Sequence, residues 1–364
     1  MIIFILIIFA LIILLILFNK RAVPVFLYHQ VNPISSNVSP ELFEEHLKII
    51  KKYNMETITI SEYYNKNINK NSMLLTFDDG YYDNFKYVFP LLKKYNMKAT
   101  IFLNTLYIMD KRENEPKIKD NNTVNLEAIK KYIENGKATI NQYMSWEEIK
   151  EMYDSGLVDF QAHSHKHMAI FTNTKIEGLT KKDRMEAPEL YLYRELEDNY
   201  PIFAKRGEYS GKAKIIKKKF FNIFKNFYEE NIENKITDKN EILKKCQEFI
   251  DKNSEYFSDE NEAEYKKRIE EDYLENKRLI EKNLGNQVKF FCWPWGHRSK
   301  ETIKILKELG VVGFISTKKG TNSMKPNWDM IRRIELRQYS PEKFKINLLV
   351  ARNLILGKIY GWIS

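Results

Sequence analysis

"SMLLTFDDGYYDN", Ser72 to Asn84, contains an apolar run, Met73-Leu74-Leu75, that stops at two adjacent carboxylates and a glycine. Such a run between polar segments reads as a strand buried on both faces. Successive side chains on a strand point to opposite faces. At the strand's end, however, Gly80 permits a tight bend, so Asp78 and Asp79 can converge on one cavity. Taken alone, Asp-Asp-Gly is more often a turn that caps the next helix than a catalytic pair.

The same strand and helix alternation repeats on both sides of this stretch. "VPVFLYH" (23–29) predicts a strand, and "SPELFEEHLKIIKKYN" (39–54) a helix with a Ser cap, Pro at its first position and Glu in its first turn. "METITI" predicts a strand, followed by a short helix from Ser61, a helix over "NFKYVFPLLKKYN" and a strand over "KATIFLN". "SWEEIKEMYDSG" and "KETIKILKELG" read as helices, whereas "LVDFQAHS" (157–164), "VKFFCWPWG" (288–296), "VVGFIST" (311–317) and "MIRRIEL" (330–336) read as strands. A last helix is expected from about Pro341. Eight strands alternating with helices favour an α/β fold closed into a (β/α) barrel over an open sheet. Two stretches interrupt the pattern: 106–143, polar and Asn/Lys-rich, reads as an excursion loop, and 172–284, rich in Lys, Glu, Asn and Tyr at helical spacing, as a large helical insertion.

Four of the predicted strands end in residues that can do chemistry. "QAHSHKHM" places His163, His165 and His167 within five residues, although the whole chain has only six histidines. The four-residue spacing brings His163 and His167 to one face of a turn, as a divalent metal requires; the rival pairing is His163 with His165. "LYHQ" ends the first strand at His29, and "CWPWGH" ends a later one at Trp295 and His297. In (β/α) barrels the carboxyl ends of the strands form the active face, so four motifs point to one site.

Thr76-Phe77-Asp78-Asp79-Gly80, His163-Ser164-x-x-His167 and Phe291-x-x-Pro294-Trp295-Gly296 together resemble the polysaccharide deacetylases of carbohydrate esterase family four, the NodB-homology group. "VPVFLYHQV" and "ELFEEHLKIIKKYNMETITISEY" are similar to the branch that contains poly-N-acetylglucosamine deacetylases. The resemblance covers roughly 23–170 and 260–338. It implies a deformed (β/α) barrel that removes N-acetyl groups from an amino-sugar polysaccharide with a divalent metal, usually zinc. Carried over residue by residue, it implies Asp79, His163 and His167 as metal ligands and Asp78 as general base. The physics agrees, because a cation lets two adjacent carboxylates both stay ionised and supplies a strong nucleophile at neutral pH.

The chain departs from the family pattern in two places. No late Leu-x-x-His motif is present; the resemblance to the poly-N-acetylglucosamine branch implies the early Tyr-His histidine, His29, as general acid, with His297 as the alternative donor. The usual arginine of the third motif is replaced by Cys292-Trp293. Arg333 is the candidate to orient Asp78, and an exposed strand-edge arginine is the rival reading. Trp295 and Tyr81 are expected near substrate and oxyanion, while Trp293 either stacks on sugar or fills the barrel rim. Ser164 lacks a Gly-x-Ser-x-Gly elbow and reads as a turn residue.

Composition sets the remaining bounds. Met1 to Phe18 is an unbroken apolar run, long enough to cross most of a bilayer, and the Lys20–Pro24 segment offers no small-x-small cleavage site. Residues 1–19 are therefore expected to form a transmembrane anchor, 22–171 and 285–364 the barrel, and 172–284 the insertion. Lys20 and Arg21, placed after the run, would by charge alone hold the body in the cytoplasm. A polymeric substrate lies beyond the membrane, and on that ground the body is expected to be extracytoplasmic. The two cysteines, Cys246 and Cys292, do not make a disulfide framework. The net charge of +10 favours anionic neighbours, but it is spread along Lys-rich helices without interleaved aromatics, which argues against nucleic acid.

Overall fold

The computed structural model describes residues 20–34 and 38–363. The expected anchor lies outside the described residues, and among these no helix is long and apolar enough to cross a membrane. Eight parallel strands form one sheet: β1 (Val25–Tyr28), β2 (Glu56–Thr57), β3 (Ser72–Asp79), β4 (Ala99–Leu103), β5 (Val158–Ala162), β6 (Phe290–Cys292), β7 (Gly313–Ile315) and β8 (Ile334–Glu335). Their order is β7-β6-β5-β4-β3-β1-β8, with β2 paired to the start of β3. A bridge between Ile315 and Ile331, with the Ser316 N–H on the Ile331 carbonyl at 2.9 Å, joins the β7 edge to the segment that runs into β8. The sheet is therefore curled, as the strand and helix alternation led us to expect, with its β7 edge tied by this one bridge to the segment before β8.

All eight residues of β3 are buried, which is why its sequence is a continuous apolar run rather than an alternating one. Helices cover the outside of the sheet. Pro40–Lys52 starts on Ser39, whose hydroxyl accepts the Leu42 N–H at 3.2 Å, and buries Phe43, His46, Leu47 and Ile50 at helical spacing. Trp146–Asp154 carries a capping box formed by Ser145 and Glu148. The helix expected over Asn84–Asn96 begins as a wide π turn, Asn84–Val88, and becomes α-helical at Phe89–Tyr95. Pro90 has no N–H to give and its ring crowds the preceding turn, so the wider turn accommodates it.

Two expectations need correction. The stretch 106–143 is not simply a loop: Asn121–Asn135 is a helix, capped by Asp120 and ended by Gly136 at φ 74°, that buries Val124, Ala128 and Ile129. The stretch 172–284 is not wholly helical either. Ala169–Leu179 pairs antiparallel with Pro201–Gly207, and Lys214–Ile216 with Phe257–Asp259. Around these strands Phe171, Phe203, Phe220, Phe221 and Phe224 build a core of their own. The long helix Glu262–Leu284, by contrast, buries Tyr265, Ile269, Tyr273 and Ile280 in the core of the barrel. Apart from Asp272, most of its charge lies on the outer face, and that face dominates a composition-based reading. The expected C-terminal helix is two helices, Pro341–Ala351 and Leu354–Ile363.

Candidate metal and catalytic centre

The carboxyl ends of β1, β3, β5 and β6 open into a cavity of about 580 Å³, lined among others by His29, Asp78, Asp79, His163, His167 and Trp295. At the end of β3, Asp79 and Gly80 both take left-handed backbone, φ 77° and 84°, and turn the chain abruptly. A Cβ at Gly80 would approach Leu103 Cδ2 to 2.9 Å, so a larger residue would disturb β4. Ser164, His167 and Trp295 are left-handed as well, at φ 74°, 55° and 51°. Of the eleven left-handed non-glycine residues among the described residues, Asp79, His167 and Trp295 line this cavity, where a fold can hold such backbone as part of a functional geometry.

Asp79 Oδ1 lies 3.5 Å from His163 Nε2 and 3.8 Å from His167 Nε2. The three donor atoms fall within 4.8 Å of one another, close enough to share one ion. The amide of Asn104 donates to the same Asp79 oxygen at 2.8 Å and fixes the carboxylate. His163 Nδ1–H donates to the Cys292 carbonyl at 2.9 Å, which leaves the Nε2 lone pair facing Asp79. Burial pushes the pKa of both His163 and His167 down to about 4, so both rings are neutral and ready to ligate at neutral pH. Two neutral imidazoles and one carboxylate with room for a further ligand suit zinc, and the residues fit the metal that the sequence implied.

Asp78, His163 and Cys292 also lie close enough to hold an ion, but their donors are already engaged. Arg333 donates from Nη1 to Asp78 Oδ1 at 2.7 Å and from Nη2 to Oδ2 at 2.8 Å, and Nη2 also meets Cys292 Sγ at 3.0 Å. Burial raises the Cys292 thiol well above its ordinary range, so it stays protonated. Burial also opposes charge on Asp78, but the field of Arg333, then His163, outweighs it and holds the carboxyl below its usual range. Arg333 is fully buried, not an exposed edge residue, and its Nε–H donates to the Ser316 carbonyl at 2.9 Å.

The loop bearing the histidines hangs from the helix Glu262–Leu284. Asp272 accepts the backbone N–H groups of His165 and Lys166 at 2.8 and 3.1 Å, and the Tyr209 hydroxyl at 2.6 Å. One turn on, Asn276 donates to the Ser164 carbonyl at 2.6 Å and the Leu103 carbonyl at 2.9 Å. His165 bonds Thr105 Oγ1 through Nδ1 at 2.9 Å and is absent from the cavity lining, so the rival pairing of His163 with His165 does not form. Sequence reasoning missed Asp272 and Asn276, because nothing about two polar residues in a charged helix says which face is buried. It missed Asn104 too, although its place directly after β4 was a usable signal.

The other expected residues separate. His29 lines the cavity, with Nδ1 at 4.0 Å from Glu335 Oε1. His297 is not part of that lining; its Nδ1 accepts the Gly207 N–H at 2.9 Å. Trp295 is 39% exposed, with its ring centroid 4.3 Å from that of His167. Trp293 is buried and stacked on Phe314, so it fills the barrel rather than standing free for a sugar. The Tyr81 ring is also buried, stacked on Tyr143 with its hydroxyl donating to Asn125 at 3.2 Å. The bridge between Tyr81 and Tyr143 is carried by their neighbours, Tyr82 N–H to Gln142 O and Met144 N–H to Gly80 O, and among the described residues the Tyr81 N–H makes no backbone hydrogen bond.

A family model described as polysaccharide deacetylase matches residues 65–213 and 256–314. The YxkH protein of Bacillus subtilis is 38% identical over 86 residues, 22% of this chain and 31% of that one. A poly-beta-1,6-N-acetyl-D-glucosamine N-deacetylase of Staphylococcus aureus is 27% identical over 181 residues, 49% of this chain and 52% of that one. The chain thus matches from under a third to about half the length of these relatives. Among solved structures, a de-N-acetylase from Aggregatibacter actinomycetemcomitans superposes with a TM-score of 0.57 at 17% identity, covering 89% of this chain and 98% of that one. The BpsB deacetylase domain from Bordetella bronchiseptica gives 0.53 at 18%, covering 87% and 96%. At these identities the two structures attest the fold.

Proposed function

The chain belongs to the polysaccharide deacetylase family, and on that premise we propose that it hydrolyses N-acetyl groups of an amino-sugar polysaccharide, with poly-N-acetylglucosamine as the first candidate. The observation that carries this reading is the convergence of Asp79, His163 and His167 beside the Arg333-bound Asp78 in one cavity. Asp79, His163 and His167 would hold a divalent metal, zinc by its donor set, which when bound acidifies water and polarises the acetyl carbonyl.

In this reading Asp78 takes the proton of the attacking water. Arg333 keeps it ionised and aims it, at the cost of making it a weaker base. The Tyr81 N–H faces the developing oxyanion, a role for backbone rather than ring. His29 gives the proton to the leaving amine, and Trp295 offers an exposed ring to the sugar. Asn121, Asn122, Thr123 and Asn125, with Met185–Pro188, also line the cavity, so the segments outside the common barrel help select the glycan. We further propose that Met1–Phe18 anchors the protein with its body outside the cytoplasm, where such polymers lie.

The test is metal analysis of the purified protein together with acetate release from β-1,6- and β-1,4-linked N-acetylglucosamine oligomers and from acetyl esters. Chelator-sensitive release from the amides supports the proposal. Release from esters alone would replace it with an O-deacetylase.

A further inference from the structure

The helix Leu354–Ile363 is packed the opposite way round from an ordinary surface helix. Its inner face is glycine: a Cβ on Gly357 would come to 2.4 Å from Thr321 Cγ2, and one on Gly361 to 2.5 Å from the Lys319 carbonyl oxygen. The helix backbone therefore sits directly on the loop 319–321. Gly357 and Gly361 are four residues apart and share one side, whereas Ile355, Ile359, Trp362 and Ile363 fall on the opposite side. Ile359, Trp362 and Ile363 are 50%, 87% and 73% exposed. The helix has no acidic residue, and its one charge is the exposed Lys358. Large apolar side chains thus face outward while the small ones face the protein.

The chain enters the described fold at the same point. Leu354 N–H donates to the Lys20 carbonyl at 2.9 Å, Ala22 N–H to the Arg352 carbonyl at 3.0 Å, and Arg21 bridges Asn353. In the sequence the apolar run Met1–Phe18 ends two residues before Lys20, whose carbonyl meets the first turn of this helix. Ten residues rise about 15 Å, too short for a hydrocarbon core of about 30 Å, so the helix can lie along a bilayer but not cross it.

We propose that the Ile355–Ile363 face lies in the interfacial layer of an anionic lipid bilayer, as a second membrane contact next to the N-terminal run. The indole of Trp362 suits the headgroup level, and Lys20, Arg21 and Lys358 face anionic lipid. A tether alone leaves the barrel free to rotate, whereas a tether plus a flat helix holds its cavity at a set angle to the surface. The inference rests on reading Met1–Phe18 as an anchor.

The test uses the full chain with vesicles of phosphatidylcholine and phosphatidylglycerol, made with or without dibrominated acyl chains. The chain should float with the vesicles, and brominated lipid should quench a blue-shifted tryptophan component that is lost in Trp362→Phe. Ile359→Asp should weaken that quenching while leaving the thermal midpoint in detergent unchanged, since the side chain is exposed. Equal quenching in parent and Trp362→Phe overturns the proposal. So does flotation without quenching, the result if a second copy or the N-terminal run covers the face, and in that case the anchor reading stands. A chain that does not float overturns both.

Discussion

The guanidinium of Arg333 meets both oxygens of the Asp78 carboxylate, at 2.7 and 2.8 Å, across 255 positions of sequence. Planar two-point contact of this kind fixes direction as well as charge, and a lysine cannot reproduce it. Arg333→Lys is expected to keep the fold and bound metal while lowering kcat on the order of tenfold to a hundredfold, by analogy with other supporting contacts. Arg333→Met leaves a buried carboxylate without its partner and should cost about 3–5 kcal/mol of stability, read as a drop in the denaturant midpoint.

Removal of any one of Asp79, His163 or His167 should cost the metal. His167→Ala and Asp79→Ala are expected to purify with little bound zinc and to release no acetate, whereas the chelated parent should recover when zinc is returned. A metal-free His167→Ala variant with full activity would end the proposed chemistry.

Two histidines compete for the role of acid, and their surroundings separate them. His29 lines the cavity, whereas His297 spends Nδ1 on the Gly207 N–H. His29→Gln should lower kcat by about 10²–10⁴-fold, the usual range for a general acid, with metal content unchanged. His297→Gln should stay within a few-fold of the parent.

Asp272 and Asn276 touch no cavity atom yet hold the loop between His163 and His167. Asn276→Ala and Asp272→Asn are expected to weaken zinc affinity about tenfold to a hundredfold. Zinc titration separates a positioning role from a general loss of stability: excess zinc should restore activity in these variants.

His46 is buried between Tyr28 and the Tyr339 carbonyl, and burial lowers its pKa from 6.5 to about 4. Between these values the unfolded chain binds the extra proton and the folded one does not, so stability should fall as pH drops through that window. The share of His46 is at most about 3 kcal/mol at pH 4. His46→Gln should flatten the decline, as measured by urea midpoints from pH 7 to pH 4.

Much of the barrel was legible because its strands are short apolar runs closed by turns, and its helices carry caps such as Ser39 and Ser145. The helix Asn121–Asn135 was hidden by polar composition, since it buries only a narrow strip. The hairpin of Ala169–Leu179 with Pro201–Gly207 was hidden by long-range pairing within a Lys-rich stretch.

The sequence by itself determined which side chains gather at the candidate site: Asp78 and Asp79 at the end of β3, the His163 and His167 pair, and the turn at Trp295. Motif and spacing are local properties, readable one strand at a time. Only the tertiary structure decided that Arg333 is buried against Asp78 rather than exposed at a strand edge, that His29 enters the cavity while His297 does not, and that Asp272 and Asn276 hold the histidine loop. Those are contacts between segments far apart in the chain, set by how the sheet curls, and no local pattern encodes them.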